Sequence, residues 1–320
     1  MSINRAITLI IFNRPAHTQI IFSEIRKIRP SKLFIVADGP RVGHPTDAER
    51  CVRAREIVTH VDWPCKVFHN FSDENLGCKQ RVSSGLDWVF SQVESSIVLE
   101  DDCLPHPDFF SYCDELLTRY QDDERVWVIT GNNFQDGTKR GNDSYYFSKF
   151  NHCWGWATWR RAWQKYQVDM PYWQDWKHSA DWQNKTKDPV ERQIFTDLFD
   201  RVSRGEIDTW DYQWTACVWY HGGMTATPNV NLVTNIGFGP DATHTVASDN
   251  LDGMPAEAIG KLTHPVRVQQ DLAADRYVLD RNFGGKEHPD RLKNRFKRRG
   301  AQLLRAPSWI LRKLKKLFSH

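Results

Sequence analysis

The feature that most limits the fold is the order of two patterns between Ala6 and Phe134. Short apolar runs without polar alternation take turns with longer stretches whose apolar residues recur at helical spacing. "AITLIIF", "KLFIVADGP", "CKVFHNF", "SSIVLEDD" and "VWVITGNNF" read as five strands. "PAHTQIIFSEIRKI", "TDAERCVRAREIVTHV", "CKQRVSSGLDWVFSQV" and "HPDFFSYCDELLTRYQ" read as the helices between them. Strands buried on both faces lose their polar alternation, and strand–helix alternation with short joints gives a mostly parallel sheet covered on both sides. The expected class is therefore α/β, Rossmann-like. In such sheets ligands bind beyond the carboxyl ends of the strands. Asn13 and Arg14, Asp38, and Glu100 to Asp102 all fall at those ends.

The rest of the chain reads differently. From Tyr145 to Tyr220 it is dense in Trp and charge, and it predicts helices and long loops, with helices over "QIFTDLFDRVSRG" and "DYQWTACVWYHGG". "NVNLVTNIGFG" predicts a late strand and loop. Residues 249–290 are polar and show no period. Fourteen Trp in 320 residues suit a core, a sugar-binding cleft or a membrane interface. The seven Cys form no CxxC pair, which argues against a disulfide framework and points to a reducing compartment. Ala6–Phe12 is too short for a membrane span and lacks a cleavage site.

Net charge is +3, but eleven of the 43 basic residues and none of the 40 acidic ones lie from Arg291 onward. The remaining body is acidic, which excludes an ordinary nucleic-acid-binding domain. Within "SWILRKLKKLF", Trp309, Ile310, Leu314, Leu317 and Phe318 share a helical face, with Arg312, Lys313, Lys315 and Lys316 largely elsewhere. Such a basic amphipathic helix lies on an anionic membrane surface. The expected location is cytoplasmic, peripheral on the inner face of the membrane.

"SSIVLEDDCLPHPDFF" places three carboxylates, Glu100, Asp101 and Asp102, at one strand end. Like charges there need a compensating cation unless they stand in solvent. Hard oxygen ligands suit Mg²⁺ or Mn²⁺, held by one or two carboxylates and a substrate's phosphates. A solvated turn leading into the next helix is the alternative.

Five segments, "FNRPAHT", "VADGPR", "ENLGCKQRVSSGLDWVF", "IVLEDDCLPHPDFFSYCDELL" and "HCWGWATWRRAW", resemble in sequence and order the nucleotide-sugar glycosyltransferases of the GT-A fold. Within that family they resemble N-acetylglucosaminyltransferase I and bacterial glycosyltransferase-like proteins of surface-polysaccharide clusters. The resemblance covers about Ala6 to His244. It implies a GT-A domain over 1–248, with a nucleotide-sugar-binding half (1–135) and an acceptor half (136–248). An irregular extension (249–290) and the basic tail (291–320) would follow.

The resemblance also implies roles. Asp102 matches the metal-contacting acid, and Asp101 the position that holds the ribose or a metal-bound water. Asp38 matches the acid that reads the base, with UDP favoured. Asn13 and Arg14 would line the nucleotide pocket, and Asn75, Gly77 and Lys79 would contact the donor, with Arg81 a second cation. "TWDYQW" matches the family's Trp-Asp-Asp-Trp segment, which makes Asp211 the expected general base of an inverting transfer. Tyr212 replaces the second acid there, and Asp208 and Glu206 are the other carboxylates nearby. Trp154, Gly155 and Trp156 resemble the loop facing the transferred sugar, and His244 a late metal or diphosphate ligand. His152 and His221 are weaker candidates. The implied partners are a nucleotide sugar and a glycan or lipid-linked glycan acceptor. A noncatalytic nucleotide- or glycan-binding module on the same fold is the alternative. No glycine-rich phosphate loop and no GxGxxG follow the first strand, which speaks against a nucleotidyltransferase and a dinucleotide-dependent oxidoreductase.

Overall fold

A computed structural model describes residues 3–238 and 254–291. Its first half alternates strand and helix as the pattern predicts. The elements run β1 (Ala6–Ile11), α1 (Pro15–Ile28), β2 (Lys32–Ala37), α2 (Asp47–Thr59), β3 (Lys66–Phe71), α3 (Gly77–Phe90), β4 (Ser95–Glu100), β5 (Cys103–Pro105), α4 (Pro107–Arg119) and β6 (Val126–Thr130). The second half adds β7 (Tyr145–Ser148), β8 (Trp156–Trp159), α5 (Arg160–Trp163), α6 (Trp173–Trp176), α7 (Ala180–Lys185), α8 (Pro189–Ser203), α9 (Asp211–Tyr220), β9 (Met224–Pro228), β10 (Val233–Asn235) and α10 (Leu272–Asn282).

Eight strands form one sheet in the order β3-β2-β1-β4-β8-β6-β9-β7, and β10 pairs with β5 in a second, two-stranded sheet. β3, β2, β1 and β4 are mutually parallel, and β6 is parallel to β9. β8 is antiparallel to both of its neighbours, as β7 is to β9. The central sheet is thus mostly parallel, an α/β Rossmann-like fold. Tyr145 to Tyr220 was expected to be helices and loops, yet it supplies β7 and β8 to this sheet, and β9 follows it; the late strand expected in "NVNLVTNIGFG" is β10. "YYFS", "WATW" and "MTATP" are only four or five residues long, and their Thr and aromatic residues hide the apolar run that marks a buried strand.

Strand alternation divides the apolar residues between two cores. Leu33, Ile35, Ile97 and Leu99 face a core with Ile21 and Ile25 of α1, Ala54 and Val58 of α2, and Leu116 and Leu117 of α4. Phe34, Val36 and Val98 face the other, with Leu86 of α3 and most of the Trp-rich second half. Eleven of the thirteen described Trp are buried, so the Trp abundance is chiefly core. Their N–H groups find fixed acceptors, such as Trp163 on Asp87 (2.8 Å) and Trp173 on Asp200 (2.8 Å).

The stretch expected to be irregular holds α10, capped by Asp271, whose carboxylate accepts from the amides of Ala273 and Ala274. It docks through Asp275, which is 4% exposed and accepts from Ser148 Oγ (2.5 Å) and Gln270 Nε2 (2.6 Å). Burial pushes this carboxyl from 3.8 up to about 6, against the pull of both hydrogen bonds. A folded-state value raised above the unfolded one means that stability is lost as pH rises through that interval. The shift corresponds to about 3 kcal/mol. Asp275→Asn is therefore expected to gain on the unmodified chain by roughly that amount between pH 4 and pH 7. Urea titrations across that range check it, and a pH-independent difference between the two proteins would refute it.

Candidate active site at the carboxyl ends of β1 and β4

Chain order reverses between β1 and β4. β1 continues to β2 on one side, while β4, reached from β3, lies on the other. A crevice opens beyond the strand ends at such a point. The loop after β1 carries Asn13 and Arg14 to it, and β4 delivers Glu100, Asp101 and Asp102.

The cation among the carboxylates is Arg14. Its Nη1 donates to Asp102 Oδ2 at 2.8 Å and lies 3.6 Å from Asp101 Oδ1. Asp101 also accepts from the Phe12 amide (3.1 Å), which ties the end of β4 to the end of β1. One guanidinium does not balance three acids. Burial, then Asp102, Asp101 and Asp211, hold the Glu100 carboxyl well above its usual range. Asp101 is likewise raised by burial and by Asp102, with Arg14 opposing. Asp102 is enclosed on another side by Gly237, where a Cβ would stand 2.3 Å from Oδ2. The Cys103 thiol lies 3.4 Å from its Oδ1.

The donor set can be tested against a divalent cation. Among the described residues no group of three His, Cys, Asp or Glu side chains is placed to hold one ion. A cation held by protein alone does not fit. A cation held by Asp102, with Glu100 beside it, and completed by phosphate oxygens does fit, and the excess negative charge favours it.

α9 begins at Asp211, which faces Glu100 closely enough to raise it. Asp211 Oδ1 accepts from the Thr209 hydroxyl and the Tyr212 amide (2.9 Å), and the Cys153 thiol lies 3.9 Å from Oδ2. These contacts fix the carboxylate at the helix start. Asp208 reaches the same site, with Oδ2 3.2 Å from where a Gly77 Cβ would be. Glu206 instead pairs in solvent with Arg204.

Other expected residues have different surroundings. Asp38 is 6% exposed, and its oxygens accept from the amides of Gly39 (2.9 Å), Leu76 (2.9 Å) and Gly77 (3.1 Å) and from Asn75 Nδ2 (3.0 Å). Four donors fill a carboxylate's acceptor directions. Asp38 thus clasps the loop that opens α3, and Gly77 takes the positive φ of 77° that the loop needs. Asn13 is also buried and donates to Asp47 Oδ1 (2.7 Å) at the start of α2. Arg81 is a correction to the expected donor-binding set. It is 5% exposed and donates to the Asn70 carbonyl (3.0 Å) and Asn70 Oδ1 (2.8 Å), bracing β3. Lys79, in the first turn of α3, is half-buried, 3.7 Å from Asp169.

The Trp-Gly-Trp loop divides between site and core. Trp154 is half-buried, edge-on to Phe134 and Phe238. Gly155 has φ 73° and lies against Val233 and Leu99. Trp156 is a second correction. It is the first residue of β8, 1% exposed, and stacks on Trp210 at 5.4 Å, so its ring faces the core and not a sugar. On a continuous strand residues two apart would share a face, but Gly155 at φ 73° breaks the extended chain between the two Trp rings and they part. His152 is close to Phe134, and burial lowers its imidazole to about 3. His221 stacks on Trp127. His244 and the basic tail lie outside the described residues. Sequence reading did not single out Thr209, Cys153, Cys103 or Gly237, whose only sequence signal was proximity to an assigned residue.

No protein-family model matches the chain, and no curated protein matches it. Among solved structures, a UDP-glucose pyrophosphorylase complexed with UDP-glucose is 10% identical over 51% of this chain and 79% of its own, with a TM-score of 0.30. A 4-diphosphocytidyl-2C-methyl-D-erythritol synthase from Anaerococcus prevotii is 13% identical over 62% and 85%, with a TM-score of 0.31. A cytidylyltransferase from Leptospira borgpetersenii serovar Hardjo-bovis is 12% identical over 50% and 62%, with a TM-score of 0.32. Likeness at this level carries no argument about chemistry.

Proposed function

We propose that the chain is a metal-dependent, inverting glycosyltransferase. It would move a sugar from a nucleotide diphosphate sugar, UDP favoured, to a glycan or lipid-linked glycan. The observation that carries this reading is the meeting, at the reversal point of the sheet, of an undercompensated acidic cluster with a fixed carboxylate at the start of α9.

The division of labour follows from charge. Arg14 and Lys79 face the diphosphate and stabilise the charge that develops on it as the sugar leaves. Asp102 and Glu100 would hold Mn²⁺ or Mg²⁺, which when bound supplies further neutralisation of the leaving group. Asp211 accepts the proton of the attacking hydroxyl, and the Thr209 and Tyr212 contacts hold its other oxygen in place. Trp154 offers an aromatic face to the sugar, with Asn75 and Gly77 on the donor side. Asp38 acts through the loop that it clasps. Asp101 braces β4 against β1. Among the described residues no helix is long and apolar enough to cross a membrane. A lipid-linked acceptor would be met from the surface, with the basic tail as anchor.

The test is calorimetric titration of UDP and of GDP into the full chain, with Mn²⁺ and then with EDTA. One nucleotide is expected to bind only with metal. Asp102→Ala is expected to abolish that binding with the melting temperature kept within a few degrees. Failure of UDP, GDP and dTDP alike, with the protein folded, would overturn the reading.

A further inference from the structure

A second cleft lies beside the proposed donor cleft and shares only Arg14 of the residues placed there. α1 and α2 pack side by side, and a cavity of about 860 Å³ opens along them. Arg14, His17, Arg26, Arg50, Arg53 and His60 line it, and Glu56 is the one acid among its lining residues. Phe22 and Ile57 contribute apolar surface between the cations. This concentration stands on a body that, short of Arg291, has 32 basic and 40 acidic residues. Basic residues are thus gathered at this face against the average charge of the molecule.

The start of α1 points the same way. No side chain caps its first turn, and no acidic residue lies in that turn. Instead Arg14, Pro15, Ala16 and His17 lie along the cavity wall. A helix N-terminus carries partial positive charge and unsatisfied amides; Arg14 there is answered by Asp101 and Asp102, while Pro15, Ala16 and His17 line the groove with no acid in the turn. Two of the lining cations, Arg26 and Arg53, are paired only at the exposed surface. Arg26 pairs with Asp62 in solvent, and Arg53 lies 3.9 Å from Glu49 with both exposed. Exposed pairs of this kind contribute little and exchange readily.

We propose that the α1–α2 groove binds a phosphate-bearing ligand. The guanidinium groups of Arg50 and Arg53 on one wall and Arg26 on the other grip the phosphate oxygens, and the first turn of α1 closes one end. The groove follows α1 for most of its length, roughly 20 Å. That length admits a diphosphate or a lipid headgroup with part of what it carries. The inference does not depend on the glycosyltransferase reading.

The experiment uses the full chain in EDTA, with inorganic pyrophosphate as the calorimetric probe. The unmodified protein is expected to bind it, and Arg50→Gln/Arg53→Gln to weaken binding about tenfold with an unchanged melting temperature. Co-sedimentation with phosphatidylcholine vesicles, with and without phosphatidylglycerol, separates the sources. Loss of both pyrophosphate and anionic-vesicle binding in the variant assigns a lipid headgroup, and loss of pyrophosphate binding alone assigns a soluble phosphate compound. Absence of pyrophosphate binding in the unmodified protein, or equal binding in the variant, overturns the proposal. If the double variant unfolds, Arg53→Gln alone, at an exposed position, is expected to weaken binding about threefold.

Discussion

Asp211→Asn is expected to lower the rate of sugar transfer by about 10² to 10⁴-fold, because a positioned general base contributes about that much. The substitution keeps the acceptor oxygen for Thr209 and Tyr212, so the start of α9 survives. Metal-dependent nucleotide affinity is expected to stay within about threefold, since the proposed role of the carboxylate is toward the acceptor hydroxyl rather than the nucleotide. The decisive comparison is turnover at saturating donor against nucleotide affinity measured by calorimetry. A variant that loses both together would make Asp211 part of the donor pocket. A variant that loses neither would move the base to Asp208.

Arg14→Met removes the cation from a cluster in which Arg14, Asp101 and Asp102 side chains are 12%, 9% and 20% exposed. Breaking one side of an enclosed ion pair costs about 3 kcal/mol, because the partner's charge is left without compensation. Destabilisation of that order is expected at neutral pH. The sign with pH follows from the acids. Arg14 lowers the Glu100 and Asp101 values, so its removal raises them further above their unfolded values. The cost is therefore largest where the carboxylates ionise, and shrinks as acidification protonates them. Denaturation curves at pH 7 and pH 5 check this. A penalty that grows at pH 5 would contradict the placement of Arg14 among the acids. Nucleotide binding is expected to weaken as well, which Arg14→Lys recovers in part by restoring charge without the planar fork.

The first half of the fold was legible because its strands are buried on both faces. "AITLII" and "KLFIVA" have no polar alternation to confuse with an exposed strand, and Pro15 and Pro107 mark helix starts. β8 was not legible. Four residues with two Trp flanking Ala and Thr, leading directly into "RRAW", look like the start of a helix. Only pairing with β4 and β6 makes them a strand, and pairing partners are not written locally. α10 was hidden for a related reason, since only Ala274, Asp275, Val278 and Leu279 of its eleven residues are buried.

At the site, the positions were more legible than the roles. A polar residue after a strand reads the same whether it meets a ligand or holds a loop. Asp38 and Asn13 sit at the expected strand ends, yet donors from the protein itself surround the one, and the other reaches into α2. Arg14 shows the converse. Its place after β1 was apparent, but its engagement with acids 88 positions later in the chain needed the register of β1 against β4.

The insertion of β8 between β4 and β6 has a consequence for how the chain is made. β1 to β4 are complete at residue 100, yet the flank of β4 that receives Ser95↔Trp159 to Val98↔Trp156 has no partner until nearly 60 more residues have been synthesised. At about 5 to 20 residues per second, that interval lasts several seconds. During it, the apolar strand that ends in the acidic cluster presents open backbone groups to any other nascent strand. Late pairing over such separations slows folding. The antiparallel strand that joins the two halves of the sheet is thus also the last seal on its centre, and yield at high expression should depend on β8 more than on any strand of the parallel half.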